Sequence, residues 1–417
     1  MSKDVENKAQ YQSVDSLSSM DRLIAAVLVC WEKSGNGSIS ARGLGRMANA
    51  PVSSIYHHFG SLERLFLAAH EQGLKAAEQW CADRLRDLPV GGATAALALS
   101  AFPTLLAALI DDWCVQQRQS AFAWRECQLM ASREPCYRPV LLEWQCIWAG
   151  FWEEICSRCG HRGRGLLTSY LFDGESLLHL MRWRRVVDRA GLGETCAGWS
   201  RWLGGHSAGE GHWRQYAAEQ AGLEMPETTV TNATTVRIAT VAVELLAEQG
   251  VASLTHRAVA LRAGLTLGVV SYNFRTSADL ARAAFELIYR QTVGLGGKIE
   301  DPAAMTADAL TAHYGRYKSS GHLLPALDEL LVAVARDPSL KAFAPQLRYW
   351  RGRSSHDLLL ANMGPGRLVS SVDTALFSSF GSGCRRAFMG FDEEEASIRG
   401  IDAMQQLRNL LRSTSDR

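Results

Sequence analysis

Residues 35–61, GNGSISARGLGRMANAPVSSIYHHFGS, return in altered form at 250–276, GVASLTHRAVALRAGLTLGVVSYNFRT. The correspondence runs without a gap over 22–69 and 237–284, at a constant offset of 215 residues. Its identities are few and fall where local structure is demanding. Arg22 pairs with Arg237, Gly35 with Gly250, Ser38 with Ser253, Arg42 with Arg257 and Ala48 with Ala263. Phe59 pairs with Phe274, Leu65 with Leu280, and Ala68-Ala69 with Ala283-Ala284. A period this long is outside the range of stacked solenoid repeats and reads as a duplicated domain.

Each copy opens with an amphipathic pattern. Leu23, Ala26, Val27, Cys30 and Trp31 follow helical spacing, as do Ile238, Val241, Ala242, Leu245 and Leu246. Gly35 and Gly250 are placed to end these helices. Ser40 and Thr255 suit the N-cap of a second, short helix whose core residues are Leu44 and Ala48, or Val259 and Ala263. Gly45 and Ala260 keep small side chains where two helices are expected to cross. The next turn falls on Asn49 and Gly264, residues that enter the left-handed region at low cost. A third helix is predicted at roughly 51–58 and 266–273, with Pro51 in its first turn, followed by an aromatic anchor, Phe59 or Phe274. A fourth helix is expected to begin near Ser61 or Thr276.

Three helices with a tight turn between the second and third make a helix-turn-helix. The runs Ser53-Ser54-Ile55-Tyr56-His57-His58-Phe59-Gly60-Ser61 and Gly268-Val269-Val270-Ser271-Tyr272-Asn273-Phe274 resemble the recognition-helix signature of TetR/AcrR-type transcriptional regulators. The resemblance implies double-stranded DNA as partner. It assigns DNA contact to Ser40, Arg42, Val52, Ser53, Ser54, Tyr56, His57 and His58 in the first copy. In the second copy it assigns Thr255, Arg257, Leu267, Gly268, Val269, Ser271, Tyr272 and Asn273. Two departures stand out: Leu62 and Ser277 occupy positions where the family usually has a phosphate-binding lysine, and Ser271 replaces a usual tyrosine. Phosphate contact would then fall to Arg42, Arg257, Arg275 and helix N-termini.

Composition sets the frame. The chain has 417 residues and a formal net charge of +1, enough length for two to four domains and no global polycation. Basic character is local: 22–66 holds five Lys/Arg against two acids, and 237–281 holds four against three. No run of 18 apolar residues and no signal peptide is seen in the sequence, so no membrane partner and a cytoplasmic location are expected. Ten cysteines in that setting read as free thiols. Strand-like alternation is absent, so the expected class is all-α.

The organisation expected is a flexible arm (1–19), a helix-turn-helix domain (20–66), a helical regulatory and dimerisation domain (67–203) and a linker (204–235). A second helix-turn-helix domain (236–281) and a second regulatory domain (282–417) follow. Glu126 with Arg133-Glu134-Pro135 matches Glu329 with Arg336-Asp337-Pro338 at an offset of 203, so a loop changed length between the copies. By resemblance the pairing helices lie at roughly 166–187 and 194–203, and at 368–389 and 393–411. Two such units on one chain would form an intrachain pseudo-dimer; a homodimer of fused chains is the alternative. The linker, taken as a coil, would span on the order of 30 Å.

The halves differ in content. Eleven of the twelve tryptophans, counting Trp213 of the linker, and nine of the ten cysteines precede the second helix-turn-helix. Trp144, Trp148 and Trp152 share one helix face, with Trp113 and Trp124 upstream, and mark a candidate pocket for a small hydrophobic or aromatic effector. The competing reading of the same residues is plain core packing. Cys156-Ser157-Arg158-Cys159-Gly160-His161 resembles a metal or haem motif, but Gly160 breaks the haem spacing and no second ligand pair follows. No metal, cofactor or catalytic residue is expected, and thiol redox sensing is a minor alternative. The functional expectation is an effector-responsive repressor on an asymmetric, near-palindromic operator. The alternatives are a chain in which one unit alone binds DNA while the other half serves dimerisation and sensing, and a helical enzyme or non-DNA interaction protein.

Overall fold

The structure is a computed structural model that describes residues 18–89, 95–224, 228–294, 323–356, 359–360 and 368–412. Residues 1–17 of the expected arm lie outside the described residues, as does 295–322, where the change of loop length falls. The described residues form eighteen α-helices and no strand, which is the all-α class. No helix among them is long and apolar enough to cross a membrane.

The first half begins with α1 (Ser19–Lys33), α2 (Ala41–Met47), α3 (Val52–Phe59) and the long α4 (Leu62–Asp87). The second repeats them as α11 (Ala233–Gln249), α12 (His256–Ala263), α13 (Leu267–Asn273) and α14 (Ser277–Gly294). Caps account for these boundaries. Ser40 Oγ accepts from the Gly43 N–H at 3.1 Å, and Thr255 Oγ1 from that of Ala258 at 3.2 Å. Ser61 and Thr276 cap the fourth helices in the same way. Gly35 and Gly250 both have φ of 79°, so the chain leaves α1 and α11 through the left-handed region. Leu23, Ala26, Val27 and Trp31 are buried while Cys30 is half-buried; all five second-copy counterparts are buried.

Two local expectations need correction. Pro51 precedes α3 as its N-cap (ψ 146°) instead of lying within the first turn. Gly45 is small because of the turn: a β-carbon there would lie 2.8 Å from the Ala50 carbonyl oxygen, whose residue donates its N–H back to Gly45.

Behind the three-helix units, the first half continues through α5 (Ala95–Gln116), α6 (Arg118–Ala131), α7 (Arg138–Arg158), α8 (Gly165–Leu180) and α9 (Arg185–Leu203). The expected single helix over 166–187 is in fact two. The break at 181–184 is held by Asp188, which accepts from the Trp183 N–H at 3.0 Å, and by Arg348, which donates to the Met181 carbonyl at 2.6 Å. In the second half α15 (Leu323–Arg336) is the counterpart of α6, and α16 (Ala344–Tyr349) is a short remnant opposite the long α7. α17 (Ser371–Ala387) and α18 (Glu393–Arg412) complete the chain.

The halves meet chiefly where α8 crosses α17. A β-carbon on Gly174 would run into the Ser379 carbonyl, and one on Gly383 into the Tyr170 carbonyl. Gly383 follows Gly174 by 209 residues and Ser379 follows Tyr170 by the same 209, so the crossing is locally two-fold. Beside it a buried ionic chain joins the halves. Arg125 meets Asp173 at 2.9 Å, Asp173 meets Arg386 at 2.6 Å, and Arg386 meets Asp328 at 3.2 Å. Gln128 and Ser176 occupy further hydrogen-bonding positions of Arg125, so the charges are not left bare.

The connection between halves is ordered over 204–224, so the coil span does not describe it. α10 (His212–Leu223) packs on α16, and Gln346 donates to the Ala221 carbonyl at 2.7 Å. Asp373 accepts from the Trp202 indole at 2.7 Å and from the Ala208 N–H at 2.9 Å.

Gly383→Leu forces the crossing apart. Overpacking costs roughly 3 kcal/mol against about 1 kcal/mol of regained helix propensity, so urea unfolding should show a net loss near 2 kcal/mol. Gly193→Ala, on a helix surface with nothing within 4 Å, should instead stabilise. His70 is fully buried against Trp31 (ring centroids 4.2 Å apart), and burial pulls its pKa down to about 3. The unfolded chain then takes up a proton that the folded chain refuses, so stability falls as pH drops from about 6.5 toward 3. Between pH 7 and pH 5, His70→Phe should lose about 2 kcal/mol less than the wild type.

Candidate nucleic-acid interface

Each third helix buries one apolar residue and turns the rest outward. Ile55 in α3 and Val270 in α13, 215 residues apart, are both fully buried. On α3, Tyr56 is 55% exposed; Ser53, His57 and His58 are exposed, and Val52 and Ser54 half-buried. On α13, Tyr272 is 87% and Leu267 54% exposed; Gly268 and Ser271 are exposed, and Val269 and Asn273 half-buried. None of the predicted third-helix residues is fully buried in either copy. Arg42 and Arg257 are exposed on the preceding helices. Ser40 and Thr255 spend their hydroxyls as N-caps, yet both remain exposed.

The turn between second and third helices is built alike in both units. Asn49 has φ 46° and Gly264 φ 61°, the left-handed geometry expected of them. Arg22 stiffens the first turn by donating Nε–H to the Ala48 carbonyl at 2.9 Å. Its counterpart Arg237 lies beside Gly264, its Nη2 3.3 Å from where a β-carbon would be. These arginines are identical in the repeat, a signal that marked the position but not its role. Beside the first turn lies an open concavity lined by Arg42, Gly45, Arg46, Asn49, Ala50, Pro51 and Val52. Arg46, exposed on its rim, was not among the predicted contacts, and neither was Ser19, whose Oγ lies 2.6 Å from His58 Nε2.

The two surfaces differ in charge. In the second unit Leu261 (84% exposed) replaces Arg46, and Arg262 is held by Glu248 at 2.6 Å and Glu244 at 3.1 Å. Asn273 returns its amide to the Val269 carbonyl at 2.9 Å. The first face is the more basic, the second the more apolar.

Trp113, Trp124, Trp144, Trp148 and Trp152 do come together, as a filled cluster and not as the wall of an open cavity. All are at most 3% exposed, and Trp148 lies 4.8 Å from Trp113 and 4.7 Å from Phe172 between ring centroids. None of the five indole N–H groups has an acceptor among the described residues. The guanidinium of Arg125 lies over Trp124 at 4.0 Å. Cys156 donates to Thr168 Oγ1 at 3.4 Å, and burial pushes its thiol up to about 12, away from the thiolate that redox or metal chemistry needs. Among the described residues no three His, Cys, Asp or Glu side chains are grouped to hold a metal ion.

No protein-family model, curated protein or solved structure matches the chain.

Arg22→Met should cost about 2 kcal/mol in urea unfolding, the worth of charge-assisted hydrogen bonds from Arg22 to the Ala48 and Asn49 carbonyls. An unchanged unfolding midpoint would remove Arg22 from the turn's support.

Proposed function

We propose that the chain is a sequence-specific DNA-binding transcriptional regulator of the TetR/AcrR type, with both helix-turn-helix units carried on one polypeptide. The observation that carries this reading is the pair of third helices. Each is anchored by one buried aliphatic side chain at the same place in a repeated scaffold and turns a tyrosine and small polar side chains outward. Such side chains suit base edges and phosphates in a major groove, which admits a single helix. The exposed arginines alongside supply backbone contact.

The two faces would read different half-sites. Ser53, Tyr56, His57 and His58 offer hydrogen bonds; Leu267, Val269 and Tyr272 offer mostly apolar contact, which suits thymine methyl groups. The neutralised Arg262 and exposed Leu261 favour one further reading, in which the first unit supplies most of the grip and the second half chiefly completes the assembly.

Selection from a random DNA pool should return a site whose two halves differ; a perfect palindrome would contradict the two-face reading. On that site Tyr56→Ala should weaken binding about 10- to 100-fold, from contacts worth roughly 1–3 kcal/mol. Tyr272→Ala should weaken it comparably if both units read bases, and under threefold if the first dominates. If neither substitution changes affinity, the DNA-binding proposal is wrong.

A further inference from the structure

The repeated Glu and Arg that reveal the second duplication are bonded to each other with partners exchanged. Glu126 of α6 pairs with Arg336 at the end of α15, and Arg133, just past α6, pairs with Glu329 of α15 at 2.5 Å. All four side chains are largely buried, the most exposed being Arg133 at 17%.

Each arginine also reaches across the interface to the three-helix unit of the opposite half, the half that carries its glutamate partner. Arg336 lies against Gly35, the residue that ends α1, where a β-carbon would meet its Nη1. Arg133 Nη1 is 3.0 Å from the corresponding point on Gly250, and its Nη2 donates to the Leu246 carbonyl of α11 at 3.1 Å. Every pair therefore ties three bodies together: the helix carrying its glutamate, the opposite half's arginine, and the end of a unit's first helix. The units themselves touch at Gly37, where a β-carbon would lie 2.9 Å from the Ala252 nitrogen. These two residues are again 215 apart.

We infer that Glu126, Arg133, Glu329 and Arg336 are positioning residues: the crossed pairs fix the separation and mutual orientation of α3 and α13. Resting on the DNA-reading function proposed above, this clamp restricts the chain to one half-site spacing. Cutting both pairs without stranding a charge frees the two units from each other while the α8–α17 crossing persists.

The test compares the full-length wild type with a neutral variant, Glu126→Gln, Arg133→Met, Glu329→Gln and Arg336→Met together. Spin labels on non-natural amino acids replacing Arg46 and Leu261 report the distance between units without touching native thiols. The wild type should give one narrow distribution and the neutral variant one at least twice as wide. On the pool-selected site, adding two base pairs between half-sites should cost the wild type at least tenfold in affinity and the variant under threefold. Gly37→Leu, which leaves both pairs intact, should shift the preferred spacing, and it decides the matter if the neutral variant does not fold. A broad wild-type distribution, or a folded variant with the wild-type width and spacing penalty, overturns the clamp, as does an unshifted preference in Gly37→Leu where that variant decides. A wild type that selects no DNA, while the neutral variant still broadens, refutes DNA reading and leaves the clamp standing.

Discussion

Two helices from opposite halves cross so closely that neither carries a β-carbon at the point of contact. Gly174 on α8 faces the Ser379 backbone, and Gly383 on α17 faces that of Tyr170. Much else depends on that approach. It brings Arg386 within reach of Asp173, which already holds Arg125, and so builds one ionic chain through the interface. It also lays α15 beside α6, close enough for the four charges at 126, 133, 329 and 336 to pair across the boundary. Because α1 packs on α6 and α11 on α15, the crossing deep in the molecule brings the outer units near enough for the crossed pairs to set their positions.

The halves share that frame and diverge around it. The first half fills its interior with indole rings on the long α7, at the cost of unpaired N–H groups that each carry a desolvation penalty of about 1–3 kcal/mol. The second half has cut the equivalent helix down to α16, and the connecting segment takes up the exposed side: Trp350 donates to the Ala218 carbonyl at 2.9 Å. The outer surfaces of the two three-helix units diverge as well: Leu261 stands where the first unit has the exposed Arg46, and Arg262 is closed between two glutamates.

What was legible in the sequence was local. Ser40, Asn49, Gly250 and Gly264 announce caps and left-handed turns because those roles depend on a residue's own backbone preferences. Helical spacing likewise named Ile238, Val241, Ala242, Leu245 and Leu246 as core. The break between α8 and α9 was hidden because Arg348, one of the two residues that hold it, lies far along the chain. Glu126 and Arg336 were visible as matched positions and invisible as partners: a repeat states which residues are equivalent, not which copy each will bond. For the tryptophans, helical spacing fits a pocket wall and a packed core equally well, and only the ring-to-ring distances separate the two. Pro51 misled because an N-cap and a first turn differ by one residue, a distinction set by ψ and not by composition.

The ordered connection between halves has a thermodynamic corollary. With α10 seated on α16 and Asp373 gripping both Trp202 and Ala208, the second half is presented to the first at an effective concentration fixed by geometry. Association that a two-chain assembly must sustain by mass action is here a unimolecular equilibrium. Dilution leaves it unchanged, so the interface between halves persists at copy numbers too low to hold separate subunits together.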